Sequence, residues 1–177
     1  MQLKRDKIDL DEAINRLEGI RYGWRGDDLE VNVNYRLGQL YIRDGNYMKG
    51  LNTLRRAASL STPGSDLGEE ITDYMRNIFQ QIFLGKRADS IEPLKAVSLY
   101  EQFSELTPPG KRGDKLIRAL AERLVQVDLL GRAADLLSNQ VKRRLEGEKA
   151  VEVGLRLAGI RLLNNNAEQA LKDLDRV

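Results

Sequence analysis

The stretch LGQLYIRDGNYMKGLNTLRRA, residues 37–57, decides the fold because it has the pattern of two short amphipathic helices joined by a turn. Apolar residues recur at helical spacing on both sides of the Asp-Gly-Asn tripeptide at 44–46, which is typical of a turn. The second helix carries a small residue, a large apolar one four positions later and a small one after three more: Gly50, Leu54 and Ala57. These spacings place all three on one face of a helix.

The same pattern of a small, a large and a further residue occurs four more times. The copies are Ala13-Leu17-Ile20, Ala96-Tyr100-Phe103, Ala133-Leu137-Gln140 and Ala170-Leu174-Val177. Their small residues follow one another at intervals of 37, 46, 37 and 37 positions, so the second interval is interpreted as one period with nine inserted residues. We place the insertion across a lengthened first helix and the loop after it. A repeated interval of this kind predicts an array of helix hairpins, in which Gln140 is the one polar exception.

Turn residues between the predicted hairpins give the boundaries of five units. Breaks at 61–65, 107–110 and 146–148 contain proline or glycine. They divide the chain into a partial unit of about residues 1–28, then units at 29–64, 65–110 (with the insertion), 111–147 and 148–177. Ser65 and Asp114 are predicted to cap the helices that follow the first two breaks. The partial first unit, and a pattern that runs to Val177, favour a fragment of a longer protein.

The clearest hairpin resembles a tetratricopeptide repeat. The matching positions are Leu37-Gly38, Tyr41, the Gly45-x-Tyr47 turn, Leu54, Ala57 and Pro63, with Ala96, Tyr100 and Pro108 in the next unit. Asn34 stands where the family has tryptophan, and the period of 37 exceeds the family's usual length of about 34. The resemblance implies an all-α fold, a right-handed α-solenoid of antiparallel helix hairpins. The concave face of such a superhelix binds a peptide or protein.

The resemblance also implies which side chains line that concave groove. If Leu37 and Leu120 hold equivalent positions, the groove-facing residues are Asn32, Tyr35, Gln39 and Ile42 on one first helix and Lys115, Arg118, Glu122 and Val125 on another. This mixture of polar, basic and apolar groups suits an extended peptide. Tyr35 and Gln39 stand where some family members carry a lysine and an asparagine that clamp a terminal carboxylate, so that ligand is not predicted.

The composition excludes most enzyme classes. The 177 residues contain neither cysteine nor histidine, which removes disulfides, thiolate nucleophiles, Cys/His zinc sites and Ser-His-Asp triads. A net charge of +2 and an aromatic content of 6% argue against a nucleic-acid partner. No segment is long and apolar enough to cross a membrane, and the charged start is unlike a signal peptide. We therefore expect no enzyme activity, cofactor or metal, and a soluble protein for which the cytoplasm is slightly favoured over the periplasm.

Several local motifs are interpreted as structure rather than chemistry. Residues 110–115, GKRGDK, lack the spacing and the preceding strand of a phosphate-binding loop and are interpreted as an inter-repeat turn capped by Asp114. The Arg-Gly-Asp sequences at 25–27 and 112–114 are interpreted as turns before helices, and Trp24 as a packing residue. Acidic clusters at predicted helix starts complement the helix dipole.

Three functions from different classes fit these observations. The first is a non-enzymatic protein–protein interaction module that binds a peptide or partner helix in the concave groove. The alternative is a structural or self-assembly segment, in which the exposed ends of the array form a homo-oligomer. The third is a regulatory ligand-binding domain attached to an enzyme encoded elsewhere in the gene.

Overall fold

A computed structural model describes residues 9–23, 28–85 and 91–176. Within these ranges the chain forms nine α-helices and one 3₁₀-helix, and it contains no strand. The helices are α1 (Leu10–Gly23), α2 (Asp28–Arg43), α3 (Tyr47–Leu60), α4 (Asp66–Leu84), α5 (Pro93–Gln102), α6 (Gly110–Gln126), α7 (Leu130–Arg144), α8 (Glu148–Leu163) and α9 (Ala167–Leu174), with the 3₁₀-helix at Ser104–Leu106. Trp24 and the first Arg-Gly-Asp, at 25–27, lie outside the described residues.

The chain divides into two compact units, Met1–Asn77 and Ile78–Val177. In the first unit α2 packs against both α1 and α3, and in the second unit each helix from α5 to α9 packs against the next one in sequence. From α1 to α3 and from α5 to α9, helices that are neighbours in sequence are therefore neighbours in space, as expected of helix hairpins. The predicted all-α helical-repeat fold is confirmed, and the first two residues of each copy of the small–large pattern lie on α1, α3, α5, α7 and α9.

The turn inside a hairpin has the same backbone form three times. Gly45, Asp128 and Asn165 each have a positive φ, of 81°, 60° and 56°. The residue after each one donates its N–H to the carbonyl five positions earlier: Asn46 to Tyr41 at 2.9 Å, Leu129 to Leu124 at 2.8 Å and Asn166 to Arg161 at 2.9 Å. This is the geometry that ends a helix in a left-handed residue. The three turns keep the spacing of the sequence repeat, with the lengthened period falling between the first two.

The small residues of the pattern serve to bring two helices close together. A Cβ atom on Gly38 of α2 would lie 2.6 Å from Cγ of Leu54, and one on Gly50 of α3 would lie 2.6 Å from Cδ1 of Ile42. Leu54 and Ala57 are completely buried on the same face of α3. Close backbone approach therefore requires glycine on both helices of this hairpin, and the large residues fill the space around the crossing.

Of the two predicted helix caps, one is confirmed and the other is wrong. The Ser65 prediction is confirmed, because its hydroxyl accepts the N–H of Gly68 at 3.2 Å. The Asp114 prediction is wrong, because α6 begins at Gly110, directly after Pro109. Asp114 lies inside the helix, where its Oδ1 accepts from Nε of Arg144 at 3.2 Å. Residues 110–115, and the second Arg-Gly-Asp within them, are therefore helical rather than a turn.

Candidate partner-binding face

Four of the predicted groove residues share one side of α6 in the second unit. Lys115 is exposed, and Arg118, Glu122 and Val125 are partly exposed. Their separations of three, four and three residues keep them on one face of the helix. The structure therefore brings this half of the predicted set together on an accessible surface.

The first helix of the next hairpin, α8, adds a second row to this surface. Moving Arg118 and Val125 forward by the repeat interval of 37 gives Leu155 and Leu162, whose side chains are 59% and 57% exposed. The sequence reasoning missed both leucines because the register was applied to α2 and α6 but not extended to α8. The repeat interval of 37 is the sequence signal that identifies these two leucines.

Two ion pairs connect α6 and α8. Nη1 of Arg118 lies 3.4 Å from Oε1 of Glu152. Arg156 donates two hydrogen bonds to Glu122, from Nε at 2.8 Å and from Nη2 at 2.5 Å. In both pairs the residue on α8 is 34 positions beyond its partner on α6. We name the surface formed by Lys115, Arg118, Glu122, Val125, Glu152, Leu155, Arg156 and Leu162 the α6–α8 face.

The charged side chains of this face are held in a defined orientation, but they contribute little to the stability of the fold. The hydrogen bond from Arg156 to Glu122 raises the pKa of the guanidinium, which therefore stays charged throughout the physiological range. Both side chains are nearly half exposed, and exposed ion pairs contribute only about 0–1 kcal/mol to stability. The bidentate geometry therefore holds two side chains in a defined position beside the exposed leucines.

The predicted residues on α2, in the first unit, divide into surface and core. Asn32 is exposed, and its Nδ2 donates to the carbonyl of Asp28 at 2.8 Å. Gln39 is partly exposed and accepts a hydrogen bond from Arg36 at 3.1 Å. Ile42 is only 1% exposed, because it fills the space beside Gly50. It belongs to the core between α2 and α3 and offers a partner no surface.

Tyr35 is also a packing residue in this structure. Its hydroxyl donates to Oε1 of Glu70 at 2.8 Å, and its ring meets that of Tyr74 edge-on, with centroids 6.0 Å apart. Only 5% of the residue is exposed. Burial and the hydrogen bond to Glu70 raise the pKa of Tyr35 to about 12. The phenol is therefore a permanent donor that joins α2 to α4, and its exposed fraction is too small for a partner contact.

The described residues contain neither a cluster of metal-ligating side chains nor a membrane-spanning helix. No group of three or more acidic side chains in the described ranges is close enough to hold a metal ion. None of the helices described is long and apolar enough to cross a bilayer.

No protein-family model matches the chain, and no curated protein matches it. Among solved structures it is similar to MamA of AMB-1, with 18% identity over 94% of this chain and 86% of that one and a TM-score of 0.39. It is also similar to BtubC from P. vanneervenii, with 16% identity over 98% of this chain and 74% of that one and a TM-score of 0.38. MamA of MSR-1 gives 18% identity, coverage of 94% and 90%, and a TM-score of 0.36. Structural similarity at these TM-scores gives no information about function.

Proposed function

We propose that this chain is a non-enzymatic helical-repeat module of the tetratricopeptide type, which binds a peptide or helix of another protein. The binding surface is the α6–α8 face. The observation that carries the proposal is the position of Leu155 and Leu162, both more than half exposed, beside the paired charges of Arg156 and Glu122.

This arrangement has the anatomy of a small protein interface. Apolar anchors that are surrounded by polar groups supply most of the binding energy of an interface, and the polar groups exclude water and fix orientation. Leu155 and Leu162 are seven residues apart on α8, so their side chains stand about 10 Å apart along the helix. A partner therefore needs two apolar side chains at a similar spacing, as at positions i and i+7 of a helix.

The polar side chains of α6 select the charge of that partner. Lys115 is exposed and has no ion-pair partner within the described residues, whereas Arg118 and Glu122 have carboxylate and guanidinium partners on α8. An acidic group on the partner is therefore expected next to Lys115. Such a contact lies at the polar edge of the face and affects the rate of association more than the affinity.

A peptide-display selection tests this function. A library of random 16-residue peptides is selected on the wild-type chain, and the recovered peptides are measured against the double variant Leu155→Asp, Leu162→Asp. The control is Leu94→Asp, because Leu94 is 52% exposed on α5 but does not belong to the α6–α8 face. The proposal expects the double variant to lose at least about tenfold in affinity, with the control unchanged. Equal affinity for both variants contradicts it.

Self-assembly is the second candidate function, and a specific observation favours it. Leu163 and Leu171, on the last hairpin, are 62% and 64% exposed. Sedimentation of the wild type over a hundredfold concentration range, beside the variant Leu163→Lys, Leu171→Lys, separates the two candidates. A dimer that the variant dissociates favours self-assembly, and a monomer at every concentration favours the interaction module.

A further inference from the structure

The linker between α5 and α6, residues 103–109, is held by short-range backbone hydrogen bonds. These run from the N–H of Phe103 to the carbonyl of Leu99 at 3.1 Å, from Leu106 to Phe103 at 2.9 Å and from Thr107 to Ser104 at 3.0 Å. Each of them joins residues no more than four positions apart, so they tie the linker to itself and to the end of α5. The two prolines that follow cannot donate a hydrogen bond, and no side chain caps the start of α6.

A side chain of α7 reaches across to this linker. Arg144, in the last turn of α7, donates from Nη2 to the carbonyl of Pro108 at 3.0 Å and from Nε to Oδ1 of Asp114 at 3.2 Å. Asp114 belongs to α6 and is only 8% exposed, so its carboxylate is largely shielded from water. The guanidinium therefore joins the linker, α6 and α7 at a single point, through two hydrogen bonds that both have a charged donor.

A glycine in α6 leaves the space that this guanidinium occupies. A Cβ atom on Gly113 would lie 2.4 Å from Nη2 of Arg144 and 2.0 Å from the carbonyl oxygen of Pro108. Both distances are far below van der Waals contact, so a larger residue requires the linker or the arginine to move. Glycine within a helix is otherwise unfavourable relative to alanine. The contact between Arg144 and Pro108 therefore explains a glycine that the helix itself does not require.

The packing on the two sides of the linker is unequal. Helix α6 packs more extensively against α7 than α5 packs against α6. The linker itself contributes two buried apolar side chains, Phe103 and Leu106. Its opening exposes these two side chains, whereas separation of α6 from α7 exposes the apolar faces of both helices. Local opening therefore costs less at the linker than between α6 and α7, because less apolar surface is exposed.

We infer that the linker is a hinge in the second unit and that Arg144 is its latch. While the guanidinium is bound, the linker stays against α6 and α7. When the guanidinium is released, the linker opens locally and α5 reorients relative to the α6–α7 hairpin, which remains packed. The latch uses none of the residues of the α6–α8 face, so it does not depend on the function proposed for that face.

Native-state hydrogen exchange, followed residue by residue by NMR on the whole chain, tests the inference. The linker amides of Leu106 and Thr107 are compared with the amide of Leu120, inside α6, over a range of low urea concentrations. Local opening predicts that the linker amides exchange faster than Leu120 and with a weaker dependence on urea. Arg144→Met keeps the aliphatic stem and removes both hydrogen bonds. It is expected to accelerate exchange of the linker amides at least about tenfold and to retain their weak urea dependence. The control Arg143→Met is expected to leave them unchanged, because Arg143 is exposed and has no ion-pair partner within the described residues.

Three results overturn the inference. Linker amides with the exchange rate and urea dependence of Leu120 show that the linker opens only when the unit unfolds. Linker amides that Arg144→Met does not accelerate show that the arginine is no latch. Equal acceleration by Arg143→Met shows that the loss of positive charge at the end of α7, rather than of the two hydrogen bonds, is responsible.

Asp114→Asn provides an independent test of the same latch. In the described structure the carboxylate of Asp114 reaches the linker through Arg144, so its neutralisation is expected to accelerate exchange at Leu106 and Thr107 in the otherwise wild-type chain. The same substitution in Arg144→Met is expected to add less than about twofold, because the latch is already absent. Additive effects of the two substitutions would contradict the latch, since the two residues would then act separately.

Discussion

Gln140 provides a sharp test of the packing that the repeat imposes. It occupies the third position of the small–large pattern, which holds Ala57 and Phe103 in two other repeats. The side chain is 1% exposed, and its Nε2 donates to the carbonyl of Asp114 at 3.2 Å. Its Oε1 is buried and has no hydrogen-bond partner in the described structure. Replacing it by methionine preserves the length of the side chain and removes both polar atoms.

The expected change in the free energy of unfolding follows from the environments of Nε2 and Oε1. Losing the hydrogen bond to Asp114 costs about 0.5–1.5 kcal/mol, whereas removing a buried unpaired acceptor gains about 1–3 kcal/mol. The carbonyl of Asp114 lies within α6 and keeps its place in the helical hydrogen-bond ladder. We therefore expect Gln140→Met to stabilise the chain by about 1 kcal/mol, which raises the melting temperature by about 2–4 °C at this size.

The assay is urea unfolding followed by circular dichroism, with the melting temperature as a second measurement. Gln126→Met is the control, because Gln126 is exposed at the end of α6 and its replacement is expected to change stability by less than about 0.5 kcal/mol. A loss of more than about 1 kcal/mol in Gln140→Met would refute the reasoning. It would show that the Gln140 amide is fully hydrogen-bonded and that the repeat does not require an apolar residue at this position.

Three further predictions concern stability and pH. Ala133→Leu, at a completely buried small position, is expected to overpack α6 and α7 and cost about 1–3 kcal/mol in urea unfolding; unchanged stability contradicts the close helix approach. Ile42→Ala is expected to cost about 2–5 kcal/mol and the exposed Asn32→Ala less than about 0.5, whereas similar losses would contradict the core position of Ile42. A hydrogen bond from Lys49 lowers the pKa of Glu18, so this stabilisation is present above the ordinary carboxyl pKa and is lost as pH falls through the lowered one. The stability difference between wild type and Glu18→Gln should therefore shrink from pH 6 to pH 3, and a difference that grows contradicts the assignment.

The hairpin architecture was predictable from the sequence because it depends on local patterns. Helical spacing and the Asp-Gly-Asn turn both lie within residues 37–57, and α2 and α3 follow them closely. The recurrence of a small residue then repeats this local pattern along the chain. The hydroxyl of Ser65 caps α4 through an N–H three residues away, which is equally local.

The errors arose where a distant residue decides the outcome. Asp114 has the sequence context of a helix cap, but Arg144, thirty residues later, binds its carboxylate inside the helix. Tyr35 occupies a register position that faces a groove in the family, but Glu70 and Tyr74 of α4 cover it. No local pattern specifies these tertiary contacts.

Tertiary contacts also decide which of the predicted site residues, those on α6 or those on α2, are accessible. The four predicted residues on α6 remain accessible: Lys115, Arg118, Glu122 and Val125. Arg118 and Glu122 contact α8 only through ion pairs between partly exposed side chains. Ile42 is buried because Gly50 leaves room for it, a consequence of glycine where the four other repeats have alanine. A repeat register therefore predicts the face of a helix, but the neighbouring side chains decide its exposure.

Site-specific photo-crosslinking tests most directly the claim that the α6–α8 face binds a partner. A benzophenone amino acid is placed at position 155 in one protein and at position 94 in another, and both are irradiated in extract of the source cells. The account predicts a discrete covalent adduct with one protein at position 155, competed by excess wild-type chain, and none at position 94. Adducts at position 94 alone, or the same adducts at both positions, would contradict it.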